Sequence, residues 1–121
     1  NQIDIPEAGL MQVRLVAEGA NGPVTPQGES VLADKGVELI PDILANAGGV
    51  VVSYFEWIQN KSFSYWEAEE IESRLRRKLT STYESVLAIA EASEVDMRTA
   101  CYCKALKHLE TVYTQRGLST R

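Results

Sequence analysis

Hydrophobic positions fall into three regimes along the chain. Between Val13 and Ile40 they come as short runs: "VRLVA" (Val13 to Ala17) and "VELI" (Val37 to Ile40) are compact, rich in β-branched residues and bounded by turn formers, which predicts two strands. Between them, Thr25 followed by Pro26 predicts a helix N-cap with proline at the first helical position, and Gly36 after Lys35 predicts its C-terminal stop. The expected unit is βαβ, with a parallel strand pair and a right-handed crossover. Beyond Asn60 the apolar period becomes helical. Ile71, Leu75, Leu79, Tyr83 and Leu87 form a core stripe, and Tyr102, Leu106, Leu109 and Tyr113 line up along a last helix. Ser64 with Glu67 predicts a capping box, Asp96 caps the last helix, and Gly117 ends it. Glu70 to Arg74 and Glu72 to Arg76 have the spacing of solvent-side pairs, so the basic cluster "RLRRK" reads as a solvated face. The opening "NQIDIPEAGLMQ" has no amphipathic period and reads as a connection.

The third regime is the run "VVVSYFEWI", which follows Gly48 and Gly49. As a buried strand it would leave the hydroxyl of Ser53 as a minor core defect. As a helix starting at the glycines, it would place Val50, Ser53 and Trp57 on one face, one turn inside an N-terminus with unsatisfied N–H groups and positive dipole. Periodicity alone does not separate the two readings.

Composition narrows the classes. The 121 residues suit one domain, and 45% hydrophobic with 24% charged residues describes a soluble globular sequence. Twelve Lys and Arg against seventeen Asp and Glu give a net charge of -5, which repels a phosphate backbone, so no nucleic-acid partner is expected. No apolar run approaches the roughly 20 residues of a membrane span, and no signal peptide opens the chain, so a cytoplasmic location is expected. Cys101 and Cys103 lie two apart on a helix, a spacing that suits neither a disulfide nor a metal site, and His108 is the single histidine. All three are expected to be structural or surface residues. Two strands are few for a parallel sheet, which normally has more strands and is covered on both faces. The βαβ unit therefore reads as one end of a larger sheet, and the chain as a C-terminal piece.

Three ordered motifs, "AEGANGPVTP" (Ala17 to Pro26), "IPDILANAGGVVVSYFEW" (Ile40 to Trp57) and "DMRTACY" (Asp96 to Tyr102), resemble the C-terminal part of the glutamate dehydrogenase family and cover nearly the whole chain. The resemblance implies the C-terminal portion of a Rossmann-type dinucleotide-binding domain in the α/β class. Its parallel sheet would be incomplete, with a βαβα part over residues 1–60 and predominantly helical residues over 61–121. It implies that residues 49–60 are helix, against their local strand propensity, and that the last helices pack back toward a second domain. It implies a parent enzyme that interconverts L-glutamate with 2-oxoglutarate and ammonia by hydride transfer to or from NAD or NADP. That parent would be a homo-oligomer, a hexamer.

By the same resemblance, Asn21 and Asn46 approach the nicotinamide and its ribose, and Gly48 and Gly49 let backbone and cofactor come close. Val50 would pack on the substrate methylenes, and Ser53 would donate to the side-chain carboxylate. Relatives acting on leucine or phenylalanine are apolar where Ser53 stands and lack "SYFEW", so the serine argues for an acidic amino acid. No G-x-G-x-x-G turn, substrate-binding or catalytic lysine, or catalytic aspartate of the family is present; these are expected upstream, and with them the choice between NAD and NADP. Gly28 stands where the family often has an acidic residue or alanine, which is expected to weaken its helix slightly. The animal enzymes' long insertion before the final helix is absent between Glu67 and Asp96. The alternative function is a non-catalytic self-association module that keeps only the helices. A third, a small carboxylate-binding regulator, would need basic residues near Ser53, and none is evident.

Overall fold

The computed structural model describes residues 2–117. It is mixed α/β: α1 (Ile5–Leu10), β1 (Leu15–Ala17), α2 (Pro26–Asp34), β2 (Glu38–Ile40), α3 (Asp42–Ala45), α4 (Ala47–Ser62), α5 (Ala68–Ser93) and α6 (Met97–Gln115). β1 and β2 pair in parallel with Leu15 opposite Glu38, Val16 opposite Leu39 and Ala17 opposite Ile40, so the βαβ expectation holds. Both strands are shorter than their apolar runs. Val37 is outside β2 because its N–H closes the end of α2, donating to the Leu32 carbonyl at 3.0 Å while Gly36 donates to Ala33 at 2.9 Å. That is a Schellman cap, and Gly36 supplies the left-handed residue it needs, with φ +69°. At the other end of α2 the Thr25 side chain accepts from the Gly28 N–H at 3.0 Å, as the Thr-Pro pair predicts.

Residues 5–10, expected to be a connection, form a helix. Asp4 caps α1, accepting from the Ile5 N–H, and the Glu7 carboxylate accepts from the Asp4 N–H at 3.0 Å, a reciprocal capping box with Pro6 in the first turn. The signal is present in "DIPE"; the helix is too short to show a period. Its C-terminal carbonyls are gathered by one ammonium: Lys35 Nζ donates to Ala8, Gly9 and Met11 at 3.1, 2.8 and 2.6 Å. Ile3 pairs with Val24 in a parallel bridge beside Gly28, where an added Cβ would stand 2.9 Å from the Ile3 carbonyl oxygen. The glycine thus permits a close backbone approach, a role the expectation of a slightly weakened helix does not include.

Two apolar clusters hold the molecule. Ala8, Val16, Val24, Leu32 and Val37 fill the space between α1, α2 and the strands. Leu44, Val86, Ala90, Ala100 and Cys101 join α3, α5 and α6. The run "VVVSYFEWI" is helical, so tertiary context overrides β propensity there. α5 does not begin with the predicted capping box. Glu67 is its N-cap without a side-chain bond, because the preceding loop is held from α4 instead: Gln59 Oε1 accepts from the Trp66 N–H at 2.6 Å. The stripe from Ile71 to Leu87 is half-buried, and the deepest positions of α5 are Val86 and Ala90, since this helix lies between α4 on one side and α6 on the other. The row along α6 is outside. Tyr102, Leu106, Leu109 and Tyr113 are all more than half exposed, while Ala100 and Cys101 are buried and Lys104 reaches α5, donating to Ser85 at 2.6 Å. Asp96 caps α6 by accepting from the Thr99 N–H at 2.8 Å, and Gly117 follows the helix at φ +68°. No helix among the described residues is long and apolar enough to cross a membrane.

Candidate functional site

The segments after β1 and β2 leave the sheet side by side. Ligands of such sheets bind beyond the C-terminal ends of the strands, and both asparagines singled out in the sequence lie there. The structure brings them together: Asn46 Nδ2 donates to Asn21 Oδ1 at 2.7 Å, across 25 residues of chain. Asn46 is the N-cap of α4 yet makes no side-chain cap bond, so its Oδ1 does not serve its own helix while its Nδ2 serves Asn21. The pair leaves Asn46 Oδ1 as an acceptor next to Asn21 Nδ2 as a donor.

From Asn46, helical spacing carries Val50 and Ser53 along one face of α4. Both are exposed, Val50 by 70%. Ser53 Oγ donates to the Gly49 carbonyl at 3.1 Å, the usual resting bond of a helical serine, and rotation of χ1 would release it toward solvent. The two glycines differ. Gly49 has open space where a side chain would stand, whereas Gly48 is turned toward α5, with Leu79 and Leu75 at 3.6 and 3.8 Å from an added Cβ. Next to Ser53, Tyr54 stacks on Trp57 at 5.9 Å, and Lys61 lies over the Trp57 ring.

Behind this surface is a charge cluster, three of whose four members, Glu18, Asp42 and Arg98, lie in the three sequence motifs, although nothing in those motifs marks them as partners. Arg98, at the start of α6, donates from Nη2 to Glu18 at 2.7 Å, from Nε to Glu29 at 2.9 Å and from Nη1 to Asp42 at 2.9 Å. Glu18 is 2% exposed and also accepts from the Asp42 N–H at 2.8 Å, which caps α3; its Oε1 is buried with no hydrogen-bond partner. Asp42 in turn accepts from the Gly22 N–H at 2.8 Å, one residue from Asn21. Burial alone would lower the Arg98 pKa, but its hydrogen bonds to Glu18 and Glu29 outweigh that and raise it. The Gly22 N–H is the main reason that the Asp42 carboxyl is held below the usual range, against burial and with help from Ile43 and Arg98. The excess negative charge stands in the first turns of α2 and α3, where the helix dipole favours it. One signal does exist in the sequence: an arginine in the first turn of a helix is on the wrong side of the dipole and needs carboxylates from elsewhere.

The remaining chemistry-bearing side chains stay apart from this surface. Cys101 is buried, with its thiol pKa pushed up chiefly by that burial, and Cys103 and His108 are exposed on α6. Among the described residues no three His, Cys, Asp or Glu side chains are grouped to hold a metal.

A parallel βαβ core with its polar groups gathered past the strand ends defines a Rossmann-type α/β unit. Solved structures agree: glutamate dehydrogenase from Peptoniphilus asaccharolyticus superposes with a TM-score of 0.88 at 39% identity, over 94% of this chain and 29% of that one. The hetero-hexameric glutamate dehydrogenase from Thermus thermophilus, in a Leu-bound form, superposes with a TM-score of 0.91 at 30% identity, over 98% of this chain and 29% of its own. The chain belongs to the Glutamate/Leucine/Phenylalanine/Valine dehydrogenase family, whose model matches residues 1–117. It is 44% identical to the NADP-specific glutamate dehydrogenase of a Synechocystis species and 40% identical to the NAD-specific glutamate dehydrogenase of Staphylococcus aureus, each over 97% of its length. It spans 27% and 28% of those two relatives.

Proposed function

We propose that this chain supplies part of the nicotinamide and substrate surface of a cytoplasmic, oligomeric glutamate dehydrogenase, hexameric in its assembly. That enzyme would oxidise L-glutamate reversibly to 2-oxoglutarate and ammonia. The observation that carries the reading is the Asn21–Asn46 contact at the strand ends. Its outward acceptor and donor match the two ends of a carboxamide, so Asn46 Oδ1 would take the carboxamide N–H and Asn21 Nδ2 would give to its carbonyl. Gly49, open on its outer side, would leave room for the ring and ribose. Gly48 would contribute differently, by letting α4 lie close to Leu75 and Leu79 of α5. NAD or NADP, when bound, takes up or returns the hydride. The chain's own residues orient the partners: Val50 offers apolar contact to the substrate methylenes, and Ser53 turns from the Gly49 carbonyl to donate to the substrate's side-chain carboxylate. On this reading the 121 residues alone are inactive, because a reaction needs both partners held within about 3 to 3.5 Å and the family's phosphate-binding turn and lysines are not among them.

A self-association module remains the second reading, favoured by the exposed row from Tyr102 to Tyr113. It gives no reason for an asparagine pair at the strand ends.

Ser53 separates the two. In the complete enzyme, Ser53→Ala is expected to lower kcat/KM for glutamate by about one to two orders of magnitude, the size of a hydrogen bond to a charged group. Ser53→Val is expected to lower it further while sparing turnover of aliphatic amino acids, and nucleotide affinity is expected to stay put. The isolated chain serves as the inactive control. Unchanged preference between glutamate and leucine in both variants would leave Ser53 as a packing residue and the reading without its substrate half.

A further inference from the structure

Arg98 makes no hydrogen bond to either asparagine, yet its guanidinium is the polar link from α6 to the chain on both sides of them. Its three hydrogen bonds go to three separate pieces of chain: Glu18 just past β1, Glu29 in α2 and Asp42 at the start of α3. Two of these acceptors hold backbone next to the pair. Glu18 and Asp42 bind, respectively, the N–H of Asp42 on the β2 side and the N–H of Gly22 on the β1 side. The two loops that carry Asn21 and Asn46 are therefore tied to each other through carboxylates that one arginine orients. A planar fork reaches three acceptors in fixed directions, which a lysine ammonium does not reproduce.

We infer that Arg98 is a positioning residue for the nicotinamide surface, setting the Asn21–Asn46 contact through Glu18, Asp42 and Gly22. The link to the cofactor rests on the reading of the asparagines proposed above, whereas the link from Arg98 to the loops does not. Its position in α6 matters for a second reason. A shift of α6 relative to the sheet changes the distances at the guanidinium, so the placement of the last helix is felt at the strand ends.

Two measurements on Arg98→Lys test this separately. In the chain itself, hydrogen exchange of the Gly22 amide is expected to quicken about tenfold, because the charge that orients its acceptor is displaced. An unchanged Gly22 rate in a folded variant would overturn the inference. In the complete enzyme, Arg98→Lys is expected to raise the KM for the nicotinamide nucleotide about fivefold to tenfold in the native background and less than about twofold when combined with Asn46→Ala. Simple additivity with Asn46→Ala would show that Arg98 acts on stability alone, and would also overturn it. Faster Gly22 exchange with no change in nucleotide KM, for Arg98→Lys and Asn46→Ala alike, would instead sink the cofactor reading and leave the loop coupling standing. Should Arg98→Lys not fold, Asp42→Asn interrupts the same route at its next member, and both measurements apply to it with the same outcomes.

Discussion

Arg98 and the arginines of α5 show two ways of pairing charge in one small chain. Arg74 and Arg76 bond Glu70 and Glu72 one turn back on their own helix, at 2.7 and 3.0 Å, with side chains 42% and 75% exposed. Arg98 is 24% exposed and joins three elements through acceptors up to 80 residues away in sequence. The bond lengths are alike, so distance does not distinguish them. Surroundings do: at the surface, water competes for each charge and the pair adds little, whereas a buried carboxylate without its cation has nowhere to go. Even Arg74 has more to hold it by its planar face, 4.0 Å from the centre of the Trp66 ring, than by its ion pair.

The largest expected effect breaks the buried side of this contrast. Arg98→Met keeps the bulk and leaves Glu18 buried beside two other carboxylates, at an expected cost of about 3 to 5 kcal/mol of folding stability, read from urea denaturation. A loss below about 1 kcal/mol would mean that water already serves this cluster, and the contrast would collapse. A smaller effect is expected from acid. The carboxyls of Asp42 and Asp96 are held below the usual carboxylate range, Asp42 mainly by the Gly22 N–H, and Asp96 by its bonds to Thr99 and nearby backbone, which overcome a burial that acts the other way. A depressed folded-state pKa adds stability that is present above about pH 4 and lost as the pH falls through the folded value. Denaturation midpoints measured from pH 7 down to pH 2.5 are expected to fall most steeply below about pH 4, and Asp42→Asn is expected to flatten that slope. The smallest effect belongs to the surface: Glu72→Gln is expected to change stability by no more than about 0.5 kcal/mol, and a larger loss would show that α5 depends on its exposed pairs.

The same division between near and distant partners decides how far the amino-acid sequence is legible. Local signals hold where the partner lies within a turn or so: the Thr25 cap, the Gly36 stop, the Asp96 cap and the two ion pairs of α5. The parallel pair is legible because both strands are compact and joined by a helix. Expectations fail where a distant group intervenes. Ser64 and Glu67 have the spacing of a capping box, but Gln59 of the previous helix holds the loop and delays α5 to Ala68. Tyr102 to Tyr113 do line up on α6, but periodicity says only that they share a face and not which one is buried, and α6 meets α5 through its smaller residues. The asparagines and Ser53 stand out by motif and not by physics, and their mutual contact requires the fold. Arg98 lies inside the motif "DMRTACY", but none of its partners is near in sequence, so little marks it locally.

Lys35 gives the N-terminal end of the molecule an unusual dependence. A six-residue helix falls far below the length at which helices persist in water, and α1 is held by its Asp4 cap at one end, by buried Ala8 against α2 in the middle and by the Lys35 ammonium at the other end. All three donors of that ammonium are directed at α1 and its exit, from the C-cap of α2. α1 therefore depends on α2 for its stability and acts as a clasp held on that helix. In chemical terms, acylation of the exposed Lys35 amine, which removes its charge and two of its three N–H donors, is expected to loosen the clasp.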